Sequence, residues 1–148
     1  MSAGFSGKYK LVPDGWDGKI FGKEMFEFTN DPHDPLTFAD DILIRPDNHF
    51  RTDMGSVPRT LQFIAPRWFN RFRYPQSYIL HDSGYSHHGH WVAANGSDWH
   101  FVKMTRKQVD DLLYDMIIAE GGSHANARTI WLGVRLGGRG AWGKAKSV

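Results

Sequence analysis

Along the first fifty residues the apolar positions come in short runs and not in helical stripes. Lys8–Val12 alternates polar and apolar side chains, and Pro13-Asp14-Gly15 follows it with turn chemistry. Lys19–Thr29 carries Ile20, Phe21, Met25, Phe26 and Phe28 and predicts one long strand or two short ones. The next segment, Asn30-Asp31-Pro32-His33-Asp34-Pro35, predicts a loop. Ile42-Leu43-Ile44 predicts a buried strand that stops at Arg45-Pro46-Asp47-Asn48, and His49–Thr52 a further strand leading into Asp53.

From Ser56 onward the period becomes helical. Ser56-Val57-Pro58 has the form of an N-cap followed by proline in the first turn, which predicts a short helix through Ile64 that Pro66 ends. Pro75 opens a second helix, from Gln76 to about Tyr85. The stretch from His87 to His100 is polar, glycine-containing and rich in His and Trp, so it predicts a loop or a hairpin. Thr105-Arg106-Lys107-Gln108 matches a capping box, and Val109, Leu112, Leu113, Met116 and Ile117 then form one stripe, predicting a helix from Thr105 to Glu120. Gly121-Gly122 ends it. Ser123 caps a last helix with Ala127, Ile130, Trp131 and Val134 inward, closed by Gly137-Gly138.

Strand-like segments precede helical ones without βαβ alternation, so the predicted class is α+β. An antiparallel β-rich part (1–55) packs against three to four helices (56–138), and a basic tail (139–148) follows within one domain. A chain of 148 residues suits a single core. The absence of Cys excludes a disulfide framework, a thiolate metal site and a cysteine nucleophile, leaving His, Asp, Ser and Tyr for chemistry. With 6 Trp, 5 Tyr and 10 Phe the chain is not a disordered one. No apolar run approaches the roughly 18 residues of a membrane span, and the N-terminus has no signal-peptide pattern. Synthesis in the cytoplasm is therefore expected. Charge is uneven: residues 1–56 hold six Lys/Arg against ten Asp/Glu, residues 57–148 twelve against six, and from Arg128 onward five basic residues stand with no acidic one. A basic C-terminal face suits an anionic partner: nucleic acid, anionic lipid or an acidic protein surface.

The sharpest chemistry lies in His81-Asp82-Ser83-Gly84-Tyr85. On a helix His81 and Tyr85 share a face, while Asp82 projects about 100° away and can take a different partner. That supplies a general base and a metal-binding or orienting carboxylate, or equally the polar side of a structural helix. In the Thr105 helix, Asp110 lies about 90° from the centre of the apolar stripe, and Asp111 and Asp115 lie further round. Asp110 is therefore the carboxylate that can reach a neighbouring helix and hold the His81 imidazole. Asp53 is a candidate metal ligand, and the Ser56 helix start, with Arg59, a candidate binding site for an anion or oxyanion. Ser56 is also a candidate nucleophile, although a cap alone explains it. His87, His88, His90 and His100 are a weaker candidate for a zinc cluster. No Walker A loop, dinucleotide fingerprint or zinc-protease helix motif is present.

Thr-Asp-Met-Gly-Ser-Val-Pro-Arg at 52–59, Ile-Leu-His-Asp-Ser-Gly-Tyr at 79–85 and Val-Asp-Asp-Leu-Leu at 109–113 resemble the T-D-x-x-S-V-P, H-D-x-x-Y and A-D-x-x-F motifs of a family of small phage and prophage proteins of unknown function. The likeness covers about residues 50–136. It implies a phage protein made in the host cytoplasm, either carried in the virion or not, with phage structural proteins or a host-envelope component as partners. The H-D-x-x-Y helix followed by a helical Asp also resembles the core of phospholipases A2, including the parvovirus capsid domain. That resemblance implies a metal-assisted hydrolase of a lipid or cell-envelope bond, with His81 as base, Asp82 on calcium or zinc, and Tyr85 and Asp110 behind the His. The chain departs from that pattern in having no glycine-rich calcium loop and no disulfides. The alternative is a non-catalytic virion, assembly or host-interaction protein that uses His81, Asp82 and Tyr85 as a structural network.

Overall fold

The computed structural model describes residues 3–17, 23–52, 73–94 and 98–144. In chain order these form β1 (Gly4–Ser6), β2 (Tyr9–Asp17), β3 (Lys23–Asn30), β4 (Thr37–Ala39), β5 (Leu43–Arg45), β6 (His49–Thr52), α1 (Pro75–His87), β7 (Gly89–Ala93), β8 (His100–Lys103), α2 (Arg106–Ala119), α3 (His124–Gly137) and α4 (Arg139–Lys144). Antiparallel sheets fill the first half and helices most of the second, an α+β arrangement. One sheet has five strands in the order β1-β4-β5-β7-β8 and the other three in the order β2-β3-β6. The helix predicted over Ser56–Ile64 lies outside the described residues.

Pro13-Asp14-Gly15 does not turn the chain. It lies inside β2, where Pro13 pairs with Phe26 and Trp16 with Glu24, so one extra residue is absorbed as a bulge. Gly15, at φ +80°, takes the left-handed conformation there. The same glycine chemistry that makes a turn has re-aimed a strand. Asp14 then holds Arg51 of β6 by a 2.7 Å bond from Nε. The 31–35 loop forms as predicted, with Asp31 accepting from the backbone of His33 and Asp34, and Asn30 from that of Leu36. Within the stretch predicted as a loop or hairpin, β7 forms and pairs with β8, and the pair sits between two helices in sequence but joins the five-stranded sheet through β5.

The core gathers Phe28, Phe38 and Ile44 from the strands, Ile79 and Leu80 from α1, Leu113 and Met116 from α2, and Ile130 from α3. α1 is buried along most of its length, including Ser77, His81 and Ser83. Such burial demands partners for the polar groups. Ser83 Oγ accepts from the backbone of Asp47, and Ser77 donates through both its backbone N–H and Oγ to Glu120. Glu120, just past the end of α2, thus supplies the acceptor that Tyr74, the N-cap of α1, does not. α2 carries the capping box in full, and Ser123 caps α3 through Asn126. The first residues of the predicted tail form α4, whose Trp142 stacks on His88 with ring centroids 3.9 Å apart. No helix among the described residues is long and apolar enough to cross a membrane.

Candidate functional site

The apolar stripe of α2 faces the core, and its flank carries Asp110 against α1. There Asp110 is fully buried, and four side chains converge on it. His81 Nε2 lies 2.8 Å from Oδ1, and the Tyr85 hydroxyl donates to the same oxygen at 2.7 Å. Oδ2 accepts from Arg135 of α3 at 2.8 Å, and Arg106 stands 3.5 Å from it. Three helices thus meet at one carboxylate. His81 and Tyr85, one helical turn apart, also pack ring to ring at 4.4 Å.

Charge follows from these contacts. Burial opposes ionisation of Asp110, but the hydrogen bonds from His81, Tyr85 and Arg135 outweigh it and lower its pKa below the ordinary carboxylate value. Burial first, and then the hydrogen bond to Asp110, raise the Tyr85 phenol, so Tyr85 remains a neutral donor. An ionised carboxylate only accepts, so the proton on the His81–Asp110 contact belongs to His81 Nε2. In the neutral ring the other nitrogen, Nδ1, carries the lone pair, and it makes no hydrogen bond among the described residues. The His81 side chain is 7% exposed.

His90 of β7 faces the same helix. A Cβ placed on Gly84 would come within 2.7 Å of its Nε2. The ring is buried, and neither nitrogen has a hydrogen-bond partner among the described residues. Burial, reinforced by the nearby His81 and His87, pushes its pKa down to about 3, so it stays neutral.

The other predicted residues that the structure describes take different partners. Asp82 is half-buried and accepts from the Thr52 hydroxyl of β6. Asp53, Ser56 and Arg59 lie outside the described residues. The other histidines go to different partners: His87 to the Ser83 carbonyl and Asp47, His88 to the Trp142 carbonyl, His100 to the Asp98 carbonyl. No group of three or more His, Asp or Glu positioned to hold a metal exists among the described residues, which do not include Asp53.

Three contributors escaped the sequence analysis. Arg106 stands four residues before Asp110, a helical spacing that would have flagged it. Arg135 is four residues beyond Trp131, at the edge of the inward face of α3. Thr52 immediately precedes Asp53, and only the fold brings it to Asp82.

Comparison with curated proteins and with solved structures gave no match. A family described as "Protein of unknown function (DUF1353)" matches residues 33–134. That span holds His81, Tyr85, Arg106 and Asp110 and stops one residue before Arg135. Covering well over half of the 148 residues, it shows that the chain belongs to the DUF1353 family.

Proposed function

We propose that this protein is a small phage-encoded hydrolase that cleaves a lipid ester or another cell-envelope bond, with His81 as its general base. The observation that carries this reading is the orientation of His81 by Asp110. Nε2 is tied to a buried, ionised carboxylate, so that in the neutral ring Nδ1 holds the lone pair, with no partner among the described residues. The same His, Tyr and distant Asp make up the arrangement that the likeness to phospholipases A2 implies. Phage origin, synthesis in the host cytoplasm and carriage in the virion rest on the motif resemblance alone.

In the reaction His81 Nδ1 removes a proton from a water molecule as its oxygen attacks the acyl carbon. The imidazolium that forms lies 2.8 Å from Asp110, which balances its charge and keeps its own electrons. When the ester C–O bond breaks, the proton passes from Nδ1 to the departing alkoxide. The products are an acid and an alcohol, and His81 is neutral again. Arg135 and Arg106 keep Asp110 ionised through the cycle, and Tyr85 fixes the carboxylate plane.

One observation favours a second reading. Asp110 is completely buried and His81 nearly so, which suits a polar network that specifies how three helices pack. Release of fatty acid from phosphatidylglycerol–phosphatidylethanolamine vesicles, measured beside thermal melting, decides between them. Chemistry predicts that His81→Gln loses about a hundredfold or more in rate with its melting temperature preserved, and that Asp110→Asn loses rate as well. No release by the wild type, or release that His81→Gln leaves unchanged, contradicts it.

A further inference from the structure

α3 carries a face of exposed side chains among the described residues. Arg128, Leu132 and Leu136 follow each other at four-residue spacing, so each is rotated only about 40° from the last. Leu132 is 46% and Leu136 75% exposed, the latter the most exposed of the large apolar side chains described. Arg139, exposed at the start of α4, follows the leucines, so along the chain an exposed arginine stands on either side of the pair. Beside Leu132, a groove of about 460 Å³ opens between α2 and α3, with Trp131 and Arg128 on the α3 wall and Asp111, Tyr114 and Asp115 on the α2 wall. The Asp111 carboxylate is already taken by Lys107 at 2.6 Å and Trp131 Nε1 at 2.9 Å. From residue 121 to the end of the chain there is no acidic side chain, against five Lys and Arg.

We propose that this face docks the protein on an anionic bilayer surface, with Leu132 and Leu136 entering the interface and Arg128 and Arg139 meeting lipid phosphates. Exposed leucines framed by cations, with an indole alongside, are the elements of an interfacial helix. A second copy of the chain fits the face poorly. An antiparallel pairing of α3 with itself about the two leucines sets Arg128 against the Arg139 end of its partner, and a parallel pairing sets Arg128 against Arg128. Either way like charges meet where apolar contact would form, whereas an anionic headgroup layer satisfies all of them at once. Docking of this kind deepens the lipid-ester reading, on which it rests for its purpose, but it is measurable without turnover.

The test is co-sedimentation of the wild-type protein with vesicles of ether-linked lipids, which offer no acyl ester to cleave. Binding is expected to mixed phosphatidylglycerol–phosphatidylethanolamine vesicles, at least about tenfold weaker to phosphatidylcholine, and lower as salt rises. Leu132→Ser with Leu136→Ser, and separately Arg128→Glu with Arg139→Glu, are each expected to weaken it at least about tenfold with thermal melting unchanged, since all four side chains are exposed. Equal binding to both vesicle types, no binding to either, or variants that bind like the wild type overturns the proposal. So does a solution dimer that the leucine substitutions dissociate, which would give the face to a second copy. Binding that behaves as expected while ester-linked vesicles release no fatty acid would leave docking intact and remove the hydrolase reading alone.

Discussion

Asp110 shows how far one residue can be located before the fold is known. Its angle of about 90° from the apolar stripe selected it over Asp111 and Asp115, because only a flanking side chain can touch both core and neighbour. Its partners were legible unequally: Tyr85 and His81 from their shared helical face, Arg135 only once α3 was packed. In the sequence His90 stood out only as one member of a weak candidate zinc cluster, and nothing there reveals that its ring is buried with neither nitrogen paired among the described residues. That burial has a consequence for stability. Unfolded, the imidazole titrates near 6.5, whereas in the fold it holds out to about 3. Below pH 6.5 the unfolded chain therefore binds the extra proton, and stability falls as pH drops from 6.5 toward 3, with a slope of up to about 1.4 kcal/mol per pH unit from this one group. His90→Leu, of similar volume and with no polar atom to satisfy, is expected to raise stability by about 1–3 kcal/mol and to flatten that slope. Urea unfolding across this pH range measures both. A destabilised variant with the slope unchanged would mean that the ring is held by polar partners.

Among the elements, α1 is the one whose sequence least resembles its environment. It has no apolar stripe, yet α2, β6, β7 and α4 all pack against it. Gly84 permits that enclosure, because a Cβ there would lie 2.7 Å from both His90 Nε2 and Val109 Cγ1. Gly84→Ala must push β7 or α2 away, so it is expected to cost about 1–3 kcal/mol in urea unfolding, where an ordinary helix interior would gain from the exchange. A stabilised variant would contradict this packing. Long elements with caps and stripes were legible: α2 and α3 begin at the Thr105 and Ser123 caps that their sequences announce. Short ones were legible unevenly: Ile42-Leu43-Ile44 and His49–Thr52 announced β5 and β6, whereas nothing announced β1 and β4. β1 and β4 are three residues each, too few for a period, and exist because they pair with each other. α4 forms in glycine-rich sequence where the packing of Trp142 on Tyr85 and His88, rather than helix propensity, holds it.

At the scale of the molecule, the acidic half is the half of the sheets and the basic half that of the helices, and the carboxylate at the centre belongs to the basic half. Arg106 links the start of α2 to the last carbonyls of α3, at 3.1 Å from Val134 and 3.4 Å from Arg135, while Arg135 returns to Asp110. The global packing of α1, α2 and α3 therefore decides which nitrogen of His81 bears the proton, something no local pattern could state. That tautomer is the centre of the account, because a base needs its bare nitrogen directed away from Asp110. Nitrogen-15 NMR of the histidine side chains in the folded wild type, with His81 assigned by its absence in His81→Gln, reads it without any substrate. The expected result is a protonated Nε2 and an unprotonated Nδ1 in neutral His81. A neutral ring protonated at Nδ1 would place the lone pair against Asp110 and contradict the role given to both residues.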